Sequence, residues 1–249
     1  MSARTTFAVA ARVLRQLRHD PRTCAMLLVV PALILTLLWW MFRDQDVGFT
    51  RLGPPLLALI PFIVMFLVTS VTTLRERSSG TLERLLAMPT GKADLLGGYA
   101  LAFGAVAAVQ STATVVLSVW GLGLDVTGPV WMLVVVAVAD AVLGTALGLY
   151  VSAFARTEFQ AVQFMPAIVI PQILLCGLFV ARDQLPTVLG WISDVLPLSY
   201  AVDAMSGVTS GSGSLAGVDA SVWGDLAVVV AFIMVALVLG AATLRRRTA

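Results

Sequence analysis

Charge is what this 249-residue sequence has least of: Asp, Glu, Lys and Arg make up 12% of it, against about 25% in an ordinary soluble domain. With 59% hydrophobic residues and a mean hydropathy of +0.96, a water-soluble fold is excluded in favour of the bilayer. Histidine occurs once, as His19, and cysteine twice, as Cys24 and Cys176. That leaves no cluster to ligate a metal. There is no His-Glu-x-x-His pair and no Gly-x-Ser-x-Gly elbow, so the signatures of a zinc hydrolase and of a serine hydrolase are both missing. Lysine is represented by Lys92 alone, and the Arg excess is the compositional mark of a GC-rich bacterial genome.

What is there is a set of long apolar runs. Six are long enough to cross a membrane as helices, at about 23–42, 54–74, 95–120, 129–154, 162–180 and 226–244. They predict an all-α integral membrane protein with no room for a soluble catalytic domain. Placing both termini on the inner side puts thirteen Lys and Arg residues in cytoplasmic pieces and three, Arg43, Arg51 and Arg182, outside. The excess of basic residues inside therefore predicts cytoplasmic N- and C-termini. The net charge of +2 is then an orientation signal, and nucleic acid is not an expected partner. Cys24 and Cys176 fall at opposite membrane faces in this topology, which rules out a disulfide between them.

Residues 1–22 form a unit of their own ahead of the six-span domain, 23–249. Phe7, Val9, Ala10, Val13, Leu14 and Leu17 fall on one helical arc, and Arg4, Arg12, Arg15, Arg18, His19 and Arg22 on the other. This pattern predicts an amphipathic interfacial helix with its basic face toward anionic headgroups, rather than a cleaved leader. Asp20-Pro21 breaks it before the first span. Trp39 and Trp40 mark the outer end of that span, Pro54-Pro55 the first turn of the second, and Pro61 a kink within it.

Two polar features interrupt the apolar runs. The third span carries Gln110, Ser111, Thr112 and Thr114, and the fourth carries Asp140. Asp140 and Gln110 lie at similar depth, where a hydrogen bond would satisfy both. A structural clamp and a role in a substrate path or in coupled protonation both fit. Gln110, Thr114, Asp140 and Gln163 are the candidates for such a path. Gly144 and Gly148 form a GxxxG pair suited to close helix packing.

The loop 75–94 between the second and third spans is too polar and too long for a simple connection. It runs Arg75-Glu76-Arg77-Ser78-Ser79-Gly80-Thr81-Leu82-Glu83-Arg84-Leu85-Leu86 and on through Pro89 and Lys92. Leucines at helical spacing among charges of both signs predict a helix that docks on a partner, with a bend at Gly80 and a cap at Thr81. Gly91-Lys92 is not a P-loop, since Leu86 and Ala93 stand where Gly and Ser or Thr are required. ATP hydrolysis, if it drives this protein, is expected on another polypeptide.

The segment 181–222 before the last span is too apolar for a water-exposed loop. It predicts two short helices re-entering the outer leaflet, with Ser199 capping the second, Asp203 in its first turn, and a flexible linker over 206–217. Pro197, Ser199, Tyr200 and Asp203 are the candidate residues of an outer gate.

Taken together, Glu76-Arg77-x-x-Gly80-Thr81-Leu82-Glu83-Arg84-Leu85-Leu86 and the outer passage Leu196-Pro197-Leu198-Ser199-Tyr200-Ala201-Val202-Asp203-Ala204 resemble the membrane subunits of ATP-binding-cassette exporters of the type-2 permease family. The chain is most similar to the daunorubicin-resistance-like drug-export branch. The resemblance implies a homo- or heterodimer of permease subunits in a bacterial cytoplasmic membrane. It also implies a separate pair of cytoplasmic ATPase subunits carrying ATP and Mg, with no cofactor on this chain, and a coupling helix at 76–86 received by the ATPase. The family often has an Arg shortly after the Tyr-Ala-x-Asp-Ala run, where this chain has Ser206, which puts any polar contact of that Arg in doubt. Export of a lipid or lipid-linked polysaccharide, a membrane enzyme, and a non-transporting sensor are the competing readings.

Overall fold

The computed structural model describes residues 3–43, 48–80, 91–211 and 218–243. Among them there are helices and turns and no strand. The described residues hold nine α-helices, in order α1 (Ala3–Arg18), α2 (Pro21–Phe42), α3 (Gly48–Ser78), α4 (Lys92–Val116), α5 (Val130–Ser152), α6 (Glu158–Leu175), α7 (Thr187–Val195), α8 (Pro197–Ser210) and α9 (Ala220–Thr243). Six of them, α2 to α6 and α9, are long and apolar enough to cross a membrane. This is the architecture of a multi-pass membrane protein, as expected where each backbone group must be satisfied within its own segment.

The core is the parallel pair α3 and α5, in which Gly144 meets Phe62 and Gly148 meets Phe66. Oil-like surroundings give no hydrophobic drive between helices, so close backbone approach has to supply the contact. Gly144 and Gly148 allow it. A Cβ on Gly148 would stand 2.6 Å from the Phe66 carbonyl oxygen, and one on Gly144 would overlap the Phe62 carbonyl. Around this seam α5 buries Met132, Leu133, Val136 and Leu143, while α3 buries Leu57, Phe62, Met65 and Phe66. Helices α2, α6 and α9 lie at the periphery and leave most of their side chains on the outside.

Helix boundaries differ from the sequence-based expectation in instructive ways. The second span starts at Gly48, so Pro54 and Pro55 lie inside α3 rather than in its first turn. Its other end runs to Ser78, making Arg75, Glu76 and Arg77 part of the helix and shortening the inter-span loop at that side. Hydropathy marks only the apolar middle of a helix; polar ends stay helical when their charges find partners. The fifth span runs from Glu158 to Leu175 rather than 162–180. Thr157 starts it by accepting from the Gln160 N–H at 3.2 Å, and the Gln160 side chain accepts from the Arg156 N–H at 2.9 Å. Gly177, at φ +93°, ends the region in a conformation that β-carbon-bearing residues avoid. The last span begins earlier than expected, at Ala220.

The N-terminal helix α1 packs on α4 in addition to presenting an outer face. A Cβ on Gly98 would stand 2.6 Å from Val9, so the missing side chain is what seats α1. Its buried residues are Thr6, Val9, Ala10 and Val13, whereas Phe7 and Leu14 are exposed. The expected apolar arc is thus split between the protein and its surroundings. Asp20 then caps α2, accepting from the Thr23 N–H at 3.2 Å and from the Thr23 hydroxyl at 2.6 Å, with Pro21 in the first turn. These Thr23 bonds hold the Asp20 carboxyl below its ordinary range.

Helices α7 and α8 form a hairpin against the bundle. The far end of α8 is tied to the turn before α5, where the N–H groups of Thr127 and Gly128 donate to the carbonyls of Thr209 and Val208 at 3.2 and 3.1 Å. Its near end reaches α6, where the Leu198 N–H donates to Gln172 Oε1 at 3.3 Å. At 1.5 Å per residue the stretch of α8 from Leu198 to Val208 separates these two ties by about 15 Å. Pro197 takes the first helical position, so Leu196 is the cap residue and Ser199 is not. Asp203 accordingly sits in the second turn, not the first. The helix continues through Ser210, so residues 206–210 are not linker; residues 212–217 lie outside the described residues.

Candidate functional site

The C-terminal end of α3 is a junction. Three consecutive side chains there reach three different parts of the bundle. Arg75 forks onto Glu158 at the start of α6, with Nε to Oε1 at 2.8 Å and Nη2 to Oε2 at 2.9 Å. Glu76, buried, accepts at Oε2 from Arg12 of α1 at 2.8 Å and from the Tyr99 hydroxyl of α4. Arg12 also donates to the Tyr99 oxygen at 2.9 Å, closing a triad. Arg77 donates to the Ser152 carbonyl at the end of α5. A helix presents successive residues about 100° apart, so three in a row point to three neighbours.

The electrostatics of the triad set it apart from a surface ion pair. The Glu76 side chain is 5% exposed and that of Arg12 31%. A buried carboxylate is costly unless hydrogen-bond donors replace the water it loses, and Oε2 has a guanidinium and a hydroxyl. The Arg75–Glu158 pair is exposed on both sides and holds mainly by its two-pronged geometry. From this junction the described chain continues only through Ser79 and Gly80, where φ of +71° turns it off the helix axis. The expected bend at Gly80 is therefore present. Thr81, Leu82, Glu83, Arg84, Leu85 and Leu86, the rest of the candidate coupling helix, lie outside the described residues.

The α7–α8 hairpin has its own centre, Arg182. Its Nε donates to the Ser193 hydroxyl at 3.0 Å, Nη2 to Asp194 at 2.6 Å, and Nη1 to Asp203, while its guanidinium carbon lies 5.1 Å from the centroid of the Tyr200 ring. Ser193 passes the connection on, donating to the Leu175 carbonyl at 2.8 Å and meeting the Ser199 hydroxyl at 3.1 Å. The Tyr200 hydroxyl donates to the Asp194 carbonyl at 2.7 Å. Burial pushes the Asp203 carboxyl above its ordinary range, outweighing the lowering effect of Arg182. Of the candidate gate residues, Tyr200 and Asp203 meet one guanidinium directly and Ser199 through Ser193, and Pro197 opens the buried helix that carries them.

The proposed path residues are not gathered in this way. Gln110 and Asp140 are both fully buried, at 1% and 0% exposure, but neither side chain finds a hydrogen-bond partner and they do not bond to each other. It is Ser111 that bridges α4 and α5, donating to the Ala137 carbonyl at 3.2 Å. The Thr114 hydroxyl turns back to the Gln110 carbonyl at 2.6 Å. Gln163 stands elsewhere, exposed on α6.

Three functional contacts escaped the sequence reading: Arg12 and Tyr99 as partners of Glu76, and Arg182 as the hairpin anchor. A lone Tyr near the inner end of the third span and a Glu flanked by two Arg were the available signals. Thr157-x-x-Gln160 was a readable start for α6 that the hydropathy window passed over.

Comparison with known proteins adds the relatives. The family model described as ABC-2 type transporter matches residues 4–209. ABC transporter G family member 20 of Dictyostelium discoideum is 28% identical over 154 residues, covering 62% of this chain and 21% of that protein. "Probable multidrug ABC transporter permease YbhR" of Escherichia coli (strain K12) is 27% identical over 170 residues, covering 68% of this chain and 46% of the relative. Linearmycin resistance permease protein LnrN of Bacillus subtilis (strain 168) is 28% identical over 152 residues, covering 60% and 38%. The matched part is thus less than half of each relative's own length.

Proposed function

The chain belongs to the ABC-2 type transporter family, and from that premise we propose that it is the permease of an exporter moving a drug-like or other amphipathic substrate outward, powered by ATP hydrolysis on a separate cytoplasmic subunit. The observation that carries this reading is the junction at Arg75-Glu76-Arg77. An ATPase can drive transport only if its movement reaches the helices, and a partner shifts an equilibrium only through contacts that differ between states. A docking segment at 81–86 continues directly from a helix whose last turn holds α1, α4, α5 and α6 at once. Force applied to that segment is delivered to most of the bundle.

The exposed face of α6 supports a path between two copies of the chain. Phe159, Val162, Gln163, Pro166, Ile170, Pro171 and Leu174 are exposed along one helical stripe. Pro166 and Pro171 lack an N–H, so the carbonyls of Val162 and Ala167 lose their usual helical donors beside the Gln163 amide. Backbone oxygens without donors are poorly tolerated against lipid and well tolerated along a water-filled cavity. The second subunit, identical or different, completes that cavity in this reading. The hairpin α7–α8, pinned by Arg182, closes its outer end, with both termini and the docking segment on the cytoplasmic side.

The test is reconstitution of the permease with its ATPase in vesicles and measurement of ATP-dependent efflux of cationic dyes, linear polyene antibiotics and labelled phospholipids. Efflux of a drug-like compound that disappears when the ATPase is inactivated supports the proposal. Movement of phospholipid alone would transfer the reading to lipid export, and hydrolysis unaffected by every compound would favour a sensor that moves nothing.

A further inference from the structure

A cavity of about 100 Å³ opens between the inner ends of α1, α2, α3 and α4. By the same measure one water needs roughly 10–15 Å³, so this space is built for more than a single solvent molecule. Its walls are of two kinds. Leu17 and Phe103 are apolar, while Gln16, Asp20, Thr72 and Arg75 are polar or charged. The two charges are opposite and attract each other across the cleft without a hydrogen bond between them. Arg75 spends Nε and Nη2 on Glu158 and leaves Nη1 without a partner among the described residues, and Asp20 accepts from Thr23 and from the Arg22 backbone N–H. The Gln16 amide and the Thr72 hydroxyl likewise have no side-chain hydrogen bond among the described residues.

An anion and a cation facing one cleft at the end of the first membrane-crossing helix, the cation with one guanidinium nitrogen left over from its pairing to Glu158, match a zwitterion with an apolar body. We propose that this cleft binds the headgroup of an amine-bearing phospholipid, phosphatidylethanolamine in chemistry, from the membrane leaflet around this end of the bundle. The ammonium, with three N–H donors, meets Asp20, and the phosphodiester accepts from Arg75 Nη1 and the Thr72 hydroxyl. Phosphatidylcholine has the charge but no N–H to donate. Phosphatidylglycerol carries no cation and sets a net anion against Asp20. The bound lipid would bridge the start of α2 to the residue next to Glu76, making the membrane's composition a variable in how firmly the α3 junction is held.

Native mass spectrometry on the permease from nanodiscs of equal parts phosphatidylethanolamine, phosphatidylcholine and phosphatidylglycerol tests this. The expected result is retention of phosphatidylethanolamine over each of the others by at least about threefold, with the preference lost in Asp20→Asn. Asparagine caps a helix as well as aspartate does, so that variant keeps α2 intact. Thr72→Val provides a second variant away from the cap, expected to weaken retention without restoring choline binding. Equal retention of the three lipids, or a preference that survives Asp20→Asn, overturns the proposal. Full displacement of the lipid by soluble phosphoethanolamine would assign the site to a free phosphoamine and overturn it also.

Discussion

Arg12 donates to Glu76 over 2.8 Å across 64 residues of chain, and the carboxylate it meets is buried. Removing the charge with Glu76→Gln leaves a guanidinium facing a buried amide. We expect a loss of about 1–3 kcal/mol. Thermal unfolding in detergent of Arg12→Met, Glu76→Gln and the double variant measures it. Strictly additive effects would show that the pair is not an energetic unit.

Docking is tested further along the same stretch. Glu83→Lys and Leu85→Asp are expected to leave membrane insertion and ATPase binding sites elsewhere intact while abolishing substrate efflux. Arg77→Gln should lower efflux per ATP hydrolysed by weakening the hold on α5. Normal coupling in all three would remove the junction from the transport mechanism.

Close approach at Gly144 makes a sharp packing prediction. Gly144→Ala forces its methyl into the Phe62 carbonyl, for a loss of about 1–3 kcal/mol. Gly190→Ala in α7, with nothing within 4 Å, should be neutral or stabilise by about 0.4–1 kcal/mol. Parallel melting curves of the two variants provide the comparison.

For the α7–α8 hairpin the pH dependence has a definite sign. The Asp203 carboxyl is raised in the folded protein, so its contribution to stability is present in acid and is lost as pH rises through the folded value. Limited proteolysis near residue 211 should slow on acidification in the wild type, and Asp203→Asn should remove that part of the response. Arg182→Lys, which cannot fork to three partners, should speed cleavage at neutral pH.

A water-lined α6 face predicts that a cysteine at Gln163, in a background lacking Cys24 and Cys176, reacts with a membrane-impermeant thiol reagent. A cysteine at Val238, exposed on peripheral α9, should not react. Equal protection of both positions would place α6 against lipid.

How much of this was legible in the sequence depends on the range of each interaction. Six spans could be read within a few residues because lipid obliges each helix to satisfy its own backbone, a local requirement written in local composition. Pro197 and Thr157 show where that reading slipped. Both are short-range start signals, and an apolar window averages over them. The Gly144 and Gly148 seam could be suspected as a pattern, but its partner, the backbone at Phe62 and Phe66, is 82 residues away and carries no signature. The junction was half visible. Glu76 and Arg77 stood out as charges, yet nothing in the chain announces that Tyr99 and Arg12 converge on one carboxylate oxygen. Gln110 and Asp140 illustrate the opposite error, since equal depth on neighbouring helices does not ensure that two side chains face each other.

The triad also sets an order of events during synthesis. Arg12 leaves the ribosome 87 residues ahead of Tyr99, so its cation has no binding place when α1 first forms. Until α4 has entered the membrane, α1 can only wait at the surface, hydrated on its arginine side, and Glu76 waits with it at the mouth of an unfinished bundle. Seating α1 on Gly98 then withdraws both charges from water together. Completion of the first half of the bundle is in this sense self-reporting: a chain in which α4 has failed to insert keeps a free, strongly basic N-terminal helix that quality-control proteases can recognise.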